Sequence, residues 1–245
     1  MPAGLWVDTD LALGAARGDV DDGFALAAVV RAAPERLLGV SAVGGNTDAA
    51  TAHECARRLL EELGADCARV SEAEAPAALA ALPAGSSVLA IGPPANLIRA
   101  ARLDAGFPAR VGVRVVGRVQ RRWRHPLLPL FDLNLRGEAG RVFWSLAFRE
   151  RHVFPLDVVR RLRIDAGDLD RLAGAGRAGA YLARHSRRWL SRAPLRYLSR
   201  SFPAWDLVAA LDAVGRLPGA RWTRDGVLTG FDVAGARRAF FELLG

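Results

Sequence analysis

Short runs of aliphatic and β-branched residues alternate with stretches of helical periodicity over the first 155 or so positions, and no other feature narrows the fold as far. Residues 5–7, 37–43, 88–91, 111–116 and 152–155 read as buried strands, each bounded by turn or helix signals. Helical patterns fill most of the intervals between them. Strands joined by helices run parallel, so a doubly wound α/β sheet with helices on its faces is expected. The clearest helix covers residues 52–63: Ala52, Cys55, Ala56, Leu59, Leu60 and Leu63 share one face, while His53, Glu54, Arg57, Arg58, Glu61 and Glu62 turn to water. The Ala/Pro-rich stretch 73–85 reads as a connection or short helix. Beyond Ile164 the strands fade into a helical C-terminal part expected to pack across the sheet, with arginine-rich segments such as 184–200. The chain has 245 residues, 51% of them hydrophobic, enough for a core. It carries no repeat or clear linker, so one domain over 1–245 is the simplest organisation.

The basic residues number 34 against 26 acidic ones, a net charge of +8, and all 34 are arginines. They are spread along the chain, which fits a solvated basic surface. Arginines interleaved with Trp189 and Tyr197 are more simply a solvated helix face than a grip on RNA, and nucleic acid is not the favoured partner. No apolar run approaches the ~18 residues of a membrane span, and no targeting segment is evident. A soluble, cytoplasmic protein is expected. Cys55 and Cys67 suit reduced thiols rather than a disulfide framework.

The densest chemistry lies at the start. Asp8, Asp10, Asp19, Asp21 and Asp22 fall within fifteen residues, as LWVDTD leaves the first strand and the next helix begins. Asp19 and Asp21 have a structural explanation, since acids at a helix start cap its amides and suit its dipole. Asp8 and Asp10 do not. Carboxylates at the C-terminal end of a strand in an open α/β sheet occupy the usual ligand crevice, and without lysine or histidine nearby their natural neutraliser is a hard cation, Ca²⁺ or Mg²⁺. One chemistry for such a strand end is that of haloacid-dehalogenase-like phosphatases, with Asp8 as nucleophile and Asp10 as acid/base. That chemistry ordinarily uses a downstream lysine, which this chain lacks.

More residues support a second likeness. Asp8-Thr9-Asp10 with the Asp21-Asp22 pair resembles the aspartate-rich opening of the nucleoside hydrolase family. Val43-Gly44-Gly45-Asn46 is similar to the family's strand ending in Gly-Asn, and Gly92-Pro93-Pro94-Ala95-Asn96 to its Gly-Pro-Leu-Thr-Asn turn. Phe131-Asp132-Leu133-Asn134, followed by Glu138-Ala139, resembles its Glu-Phe-Asn segment and following helix. Phe154-Pro155-Leu156-Asp157 resembles its Pro-Leu-Asp strand end, and Trp205-Asp206 stands where it carries a late metal-binding aspartate. The matches run in family order across most of the chain.

The resemblance implies a nucleoside hydrolase-like α/β fold and cleavage of the N-glycosidic bond of a ribonucleoside. It implies that Asp10, Asp22, Asp206 and the main-chain carbonyl of Ala95 hold Ca²⁺, with Mg²⁺ the alternative, ribose hydroxyls and one water completing the shell. Asp10 would take a proton from that water as it attacks C1′, and Asp21, Asn46, Asp132 and Asn134 would bind the ribose. Such a reaction passes through an oxocarbenium-like state, which clustered carboxylates stabilise. Family members are often dimers or tetramers, so self-association as a homodimer or homotetramer is expected. A non-catalytic nucleoside- or ribose-binding relative is the reading of a different class.

The chain departs from the family pattern in places. Ten residues separate Asp10 from Asp21, where the family has a much tighter loop. The Glu of Glu-Phe-Asn is Asp132, the Met-Gly-Gly strand end is Val116-Gly117-Arg118, and the segment from Asn46 to Gly92 is short. Trp205 replaces a histidine proposed as leaving-group acid; an indole cannot donate that proton but stacks well on a base, which tilts the expectation towards purine nucleosides. His125 and His185 are the candidates for a substitute acid, and His152 reads as structural.

Overall fold

The computed structural model describes residues 4–15, 18–120, 127, 134–135 and 137–245. In the first half, β1 (Leu5–Thr9), α1 (Asp21–Ala32), β2 (Leu37–Ala42), α2 (Ala49–Leu63), β3 (Ala68–Val70), α3 (Ala75–Ala80), β4 (Ser87–Ala90), α4 (Ala95–Leu103), α5 (Phe107–Arg110) and β5 (Gly112–Val116) follow in order. Next come α6 (Gly137–Ser145), β6 (Glu150–Phe154), α7 (Leu156–Val159), β7 (Arg163–Ile164), α8 (Ala166–Ala173) and α9 (Gly176–Tyr197). The chain closes with β8 (Phe202–Pro203), α10 (Trp205–Ala213), β9 (Arg221–Trp222), β10 (Leu228–Gly230) and α11 (Val233–Leu244).

Six strands form one parallel sheet in the order β3-β2-β1-β4-β5-β6. The strand order reverses between β1 and β4, and in an open α/β sheet the ligand crevice lies beyond the strand ends at that switch point. Five of the six strands fall on the expected runs. The unforeseen one is β3, an edge strand of three residues with two exposed side chains, which leaves almost no apolar signal. Strand pairing also persists from Arg163 onward: β7 with β8 and β9 with β10 form small antiparallel ribbons of two or three residues a strand, too short to leave an apolar run although Ile164, Phe202 and Leu228 are buried.

Helix α2 buries the six residues of its periodic face. Asp48 caps it by accepting from the Thr51 N–H at 2.9 Å, and Gly64 ends it at φ +68°. Helices α1 and α10 differ in kind. In α1 residues 21–30 are all buried, and α10 is buried along nearly its whole length. Helices apolar all round belong inside a protein, and these two pack against each other. Phe24 of α1 meets Phe202 and Phe240 with ring centres 5.9 and 5.7 Å apart. This packing brings the N-termini of α1 and α10 together beyond the end of β1, so two helix dipoles point their positive ends at the same place.

Candidate active site

Strand alternation and register set the first carboxylates. Asp8 lies opposite Ser41 on one side and Ala90 on the other, in the middle of the sheet, and is fully buried. Its Oδ1 accepts from the Ser41 hydroxyl at 2.5 Å and from Asn96 Nδ2 at 2.9 Å; Asn96 also donates to the Ala42 carbonyl. Burial pushes its carboxyl up to about 7 against the hydrogen bonds of Asn96 and Ser41. A group so enclosed is not placed to attack a phosphate ester, which argues against the phosphatase reading. Its role in this geometry is to fix β1 against β2 and α4.

Asp10 sits just past the strand, where two backbone turns press on it. The Asn46 N–H donates to its Oδ2 at 2.6 Å, while its Oδ1 is buried with no partner. A Cβ on Gly45 would lie 2.1 Å from that Oδ2, and one on Gly92 would lie 2.9 Å from the Asp10 main-chain nitrogen. Both glycines are therefore needed for close approach. Burial raises the Asp10 carboxyl to about 6, opposed by the Asn46 N–H.

Oxygens of Asp21, Asp22 and Asp206 all lie within 4.8 Å of one another, and all three residues are buried. The Thr9 hydroxyl donates to Asp22 Oδ1, and the Asn46 side chain reaches Asp22 Oδ2 at 3.4 Å. The Asp206 N–H donates to Asp21 Oδ2 at 3.2 Å. Burial first, and then the charges of the neighbouring aspartates, raise all three carboxyls well above the ordinary value; the Asp10 charge acts on both Asp22 and Asp206. Asp21, Asp22 and Asp206, held together away from water, are an all-oxygen donor set that suits a hard divalent cation, and Asp10 with its orphaned oxygen stands outside that trio but near enough for its charge to act on Asp22 and Asp206.

The same architecture recurs in solved structures. A plant nucleoside hydrolase superimposes with a TM-score of 0.78 over 100% of this chain and 99% of its own, at 17% identity. An inosine-guanosine nucleoside hydrolase gives 0.76 at 15% identity, over 99% of this chain and 98% of its own. A purine-preferring ribonucleoside hydrolase from Gardnerella vaginalis gives 0.71 at 12%, over 98% of each chain. The chain has the nucleoside hydrolase fold. No protein-family model and no curated protein sequence matches it.

Within the nucleoside hydrolase fold, the residues singled out from the sequence distribute unevenly. Asp10, Asp21, Asp22, Asn46 and Asp206 come together although 196 positions separate the outermost pair. Ala95 opens α4 next to the Gly92 turn that abuts Asp10. Asn134 stands at the end of β4, donating to the Ile91 carbonyl at 2.8 Å. Trp205 is the first residue of α10, beside Asp206, and is only 9% exposed. Asp132 and His125 lie outside the described residues. His185 is half-buried on α9 against Gly14, and His152 is structural, near Asp212 at 3.3 Å and stacked on Trp222.

Of the capping role expected of Asp19 and Asp21, the structure keeps the first and not the second: Asp19 faces the amides at the start of α1. Val20 is the N-cap of α1, and its own side chain makes no cap bond. Asp19 accepts from the Val20 N–H at 2.7 Å, and Asp21 turns to the first-turn amide of α10 instead. Sequence reasoning also passed over Thr9, Ser41 and the side-chain role of Asn96, which hold the aspartates. The available signal was a polar residue at an inward position of an otherwise apolar strand: a buried hydroxyl there needs a partner.

Proposed function

We propose that this protein hydrolyses the N-glycosidic bond of a ribonucleoside to free base and ribose, with purine nucleosides preferred. The observation that carries the reading is the convergence of Asp10, Asp21, Asp22 and Asp206 at the switch point of a nucleoside hydrolase fold. Asp10, Asp22, Asp206 and the Ala95 carbonyl would hold the cation, Ca²⁺ with Mg²⁺ as alternative. When bound, that cation supplies positive charge that holds a ribose diol and favours deprotonation of water.

The chain's own groups account for the rest. The orphaned Asp10 Oδ1 is free to accept the proton of a water attacking C1′, while Asn46 N–H keeps the other oxygen fixed. Asp21, Asn46 and Asn134, with Asp132, orient the ribose hydroxyls. As the bond to the base breaks, positive charge grows on the ribose ring, and the surrounding carboxylates stabilise it electrostatically in a site that excludes water. Trp205 offers an apolar face to the base rather than a proton.

The test is a reducing-sugar assay over a panel of purine and pyrimidine nucleosides, with and without chelator, using Asp10→Ala as control. Ribose release that requires both the divalent ion and Asp10 is expected, fastest with purine nucleosides. Nucleoside binding by calorimetry without any ribose release would replace hydrolysis by a non-catalytic binding role.

A further inference from the structure

The described residues of the long connection from β1 to α1 do not simply loop into solvent. Gly14, Ala15, Gly18 and Val20 form one wall of a cavity of about 240 Å³, whose other wall is α9. That volume is below the roughly 300 to 1,000 Å³ of pockets that take a whole ligand; it suits a fragment of one. From α9 the lining residues are Arg184, His185, Arg188, Trp189 and Arg192. The arginines recur every fourth residue, so they stand in a row on one face.

A solvated basic face would explain arginines at helical spacing, but the arginines of α9 divide by position. Arg177 pairs with Glu62 at 3.0 Å and Arg187 with Asp170 at 2.9 Å, both away from the cavity. Arg184, Arg188 and Arg192, which line it, pair with no carboxylate among the described residues. Trp189 is only 5% exposed, and its indole N–H is buried with no acceptor. Arg184 contacts His185 Nε2 at 3.3 Å and lies over the Tyr181 ring, which leaves Arg188, Arg192 and the Trp189 indole N–H as the unmatched groups around one small hollow. Burial and then the Arg184 and Arg58 charges lower the His185 imidazole, consistent with a positive local field.

The cavity also adjoins the acidic crevice. Val20, in its wall, directly precedes Asp21 and Asp22, and Tyr197, at the far end of α9, is close enough to Asp19 and Asp21 for their charges to act on its hydroxyl. On the same helix the row of arginines begins about 20 Å from that residue along the axis, at Arg184, and ends about 7.5 Å from it, at Arg192.

We propose that this cavity is a subsite for a phosphate monoester, so that the ligand of the neighbouring crevice is a ribonucleoside monophosphate rather than a free nucleoside. The inference rests on the hydrolase reading for the ribose and base, and on the cavity alone for the phosphoryl group. Three guanidinium groups match a phosphoryl group carrying close to two negative charges, and arginine forks pair with its oxygens bidentately.

Two measurements on the metal-loaded full chain separate the claims. In the first, kcat/KM is compared for inosine and inosine 5′-monophosphate in the wild type and in the Arg188→Gln/Arg192→Gln double variant. The monophosphate is expected to be at least tenfold better in the wild type, and the ratio of the two constants to fall at least tenfold in the variant. Equal constants for the two substrates in both proteins would overturn the subsite while leaving the hydrolase reading intact. The second is calorimetric titration with inorganic phosphate and with inosine 5′-monophosphate at low salt, which needs no turnover. Binding that is lost in the double variant supports the subsite even if no nucleoside is cleaved; absence of binding to the wild type overturns it. So does a short single-stranded RNA binding through the same arginines more tightly than the monophosphate.

Discussion

Replacing Gly45 by alanine tests the site without touching any charged group. A Cβ at this position would stand 2.1 Å from Asp10 Oδ2, 2.9 Å from its Cγ and 2.8 Å from the Pro93 ring, whereas ordinary contact begins near 3.4 Å. The proline ring is rigid, and Asp10 is short, 2% exposed and bound to the Asn46 N–H. The carboxylate must therefore move by more than an ångström, and that hydrogen bond breaks. A bond from an amide to a charged acceptor is worth about 1.5 to 3 kcal/mol, and a misplacement of about 1 Å at the reacting centre costs roughly 100-fold in rate. Gly45 itself lies in an exposed turn, so folding should survive. Gly45→Ala is expected to retain the wild-type circular dichroism spectrum and cooperative melt while losing about 100-fold in kcat/KM for nucleoside hydrolysis, with a higher Ca²⁺ requirement. Wild-type kinetics in a folded Gly45→Ala protein would refute the placement of Asp10 at the reacting centre.

Three further outcomes follow from the same geometry. A divalent ion at 100 times its Kd should stabilise the wild type by about 2.7 kcal/mol; in Asp206→Asn, differential scanning calorimetry should find this increment mostly gone, and its full retention would contradict the ligand set. In the metal-free protein the Asp8 and Asp10 carboxyls titrate near 7 and 6, above their ordinary 3.8. A raised folded-state value means stability is greatest below the ordinary value and is lost as pH rises towards the folded one, so urea midpoints in chelator should fall between about pH 4 and 7. Asp8 alone accounts for roughly 4 kcal/mol of this change at most, and Asp8→Asn should flatten the profile; an unchanged slope in that variant would assign the effect elsewhere. Finally, Arg114 bonds Asp212 at 2.8 Å and Ser87 at 2.6 Å with both ion-pair members mostly buried, so Arg114→Met should destabilise by about 2 kcal/mol with kcat/KM within twofold of wild type; equal stability by chemical denaturation would show the pair to be energetically neutral.

The parts of the fold that could be read directly were those in which one residue pattern answers to one physical demand. The periodic face of α2 is buried residue for residue, and the central strands coincide with runs too apolar to be exposed. What could not be read was set by partners distant in sequence. Edge strand β3 has its place because β2 is there to pair with it, not because its own side chains are apolar. Asp21 has the composition of a helix cap, yet its carboxylate serves α10, because the packing of two buried helices brings that amide closer than its own helix's first turn. The gathering of Asp10, Asp22 and Asp206 followed only from the order of several weak motifs. Nothing in the arginine pattern of α9 distinguished the three that line a cavity from the two that pair with surface acids.

The acidic crevice draws its carboxylates from the first strand, the first helix and the tenth helix, which has a consequence during synthesis. At about 5 to 20 residues per second, Asp206 leaves the ribosome roughly 10 to 40 s after Asp22. Over that interval the early aspartates have neither the late carboxylate nor the amide end of its helix, so a cation has only an incomplete chelate to occupy. On the proposed function, capture of the ion would be a late event, a latch on a chain that has already closed.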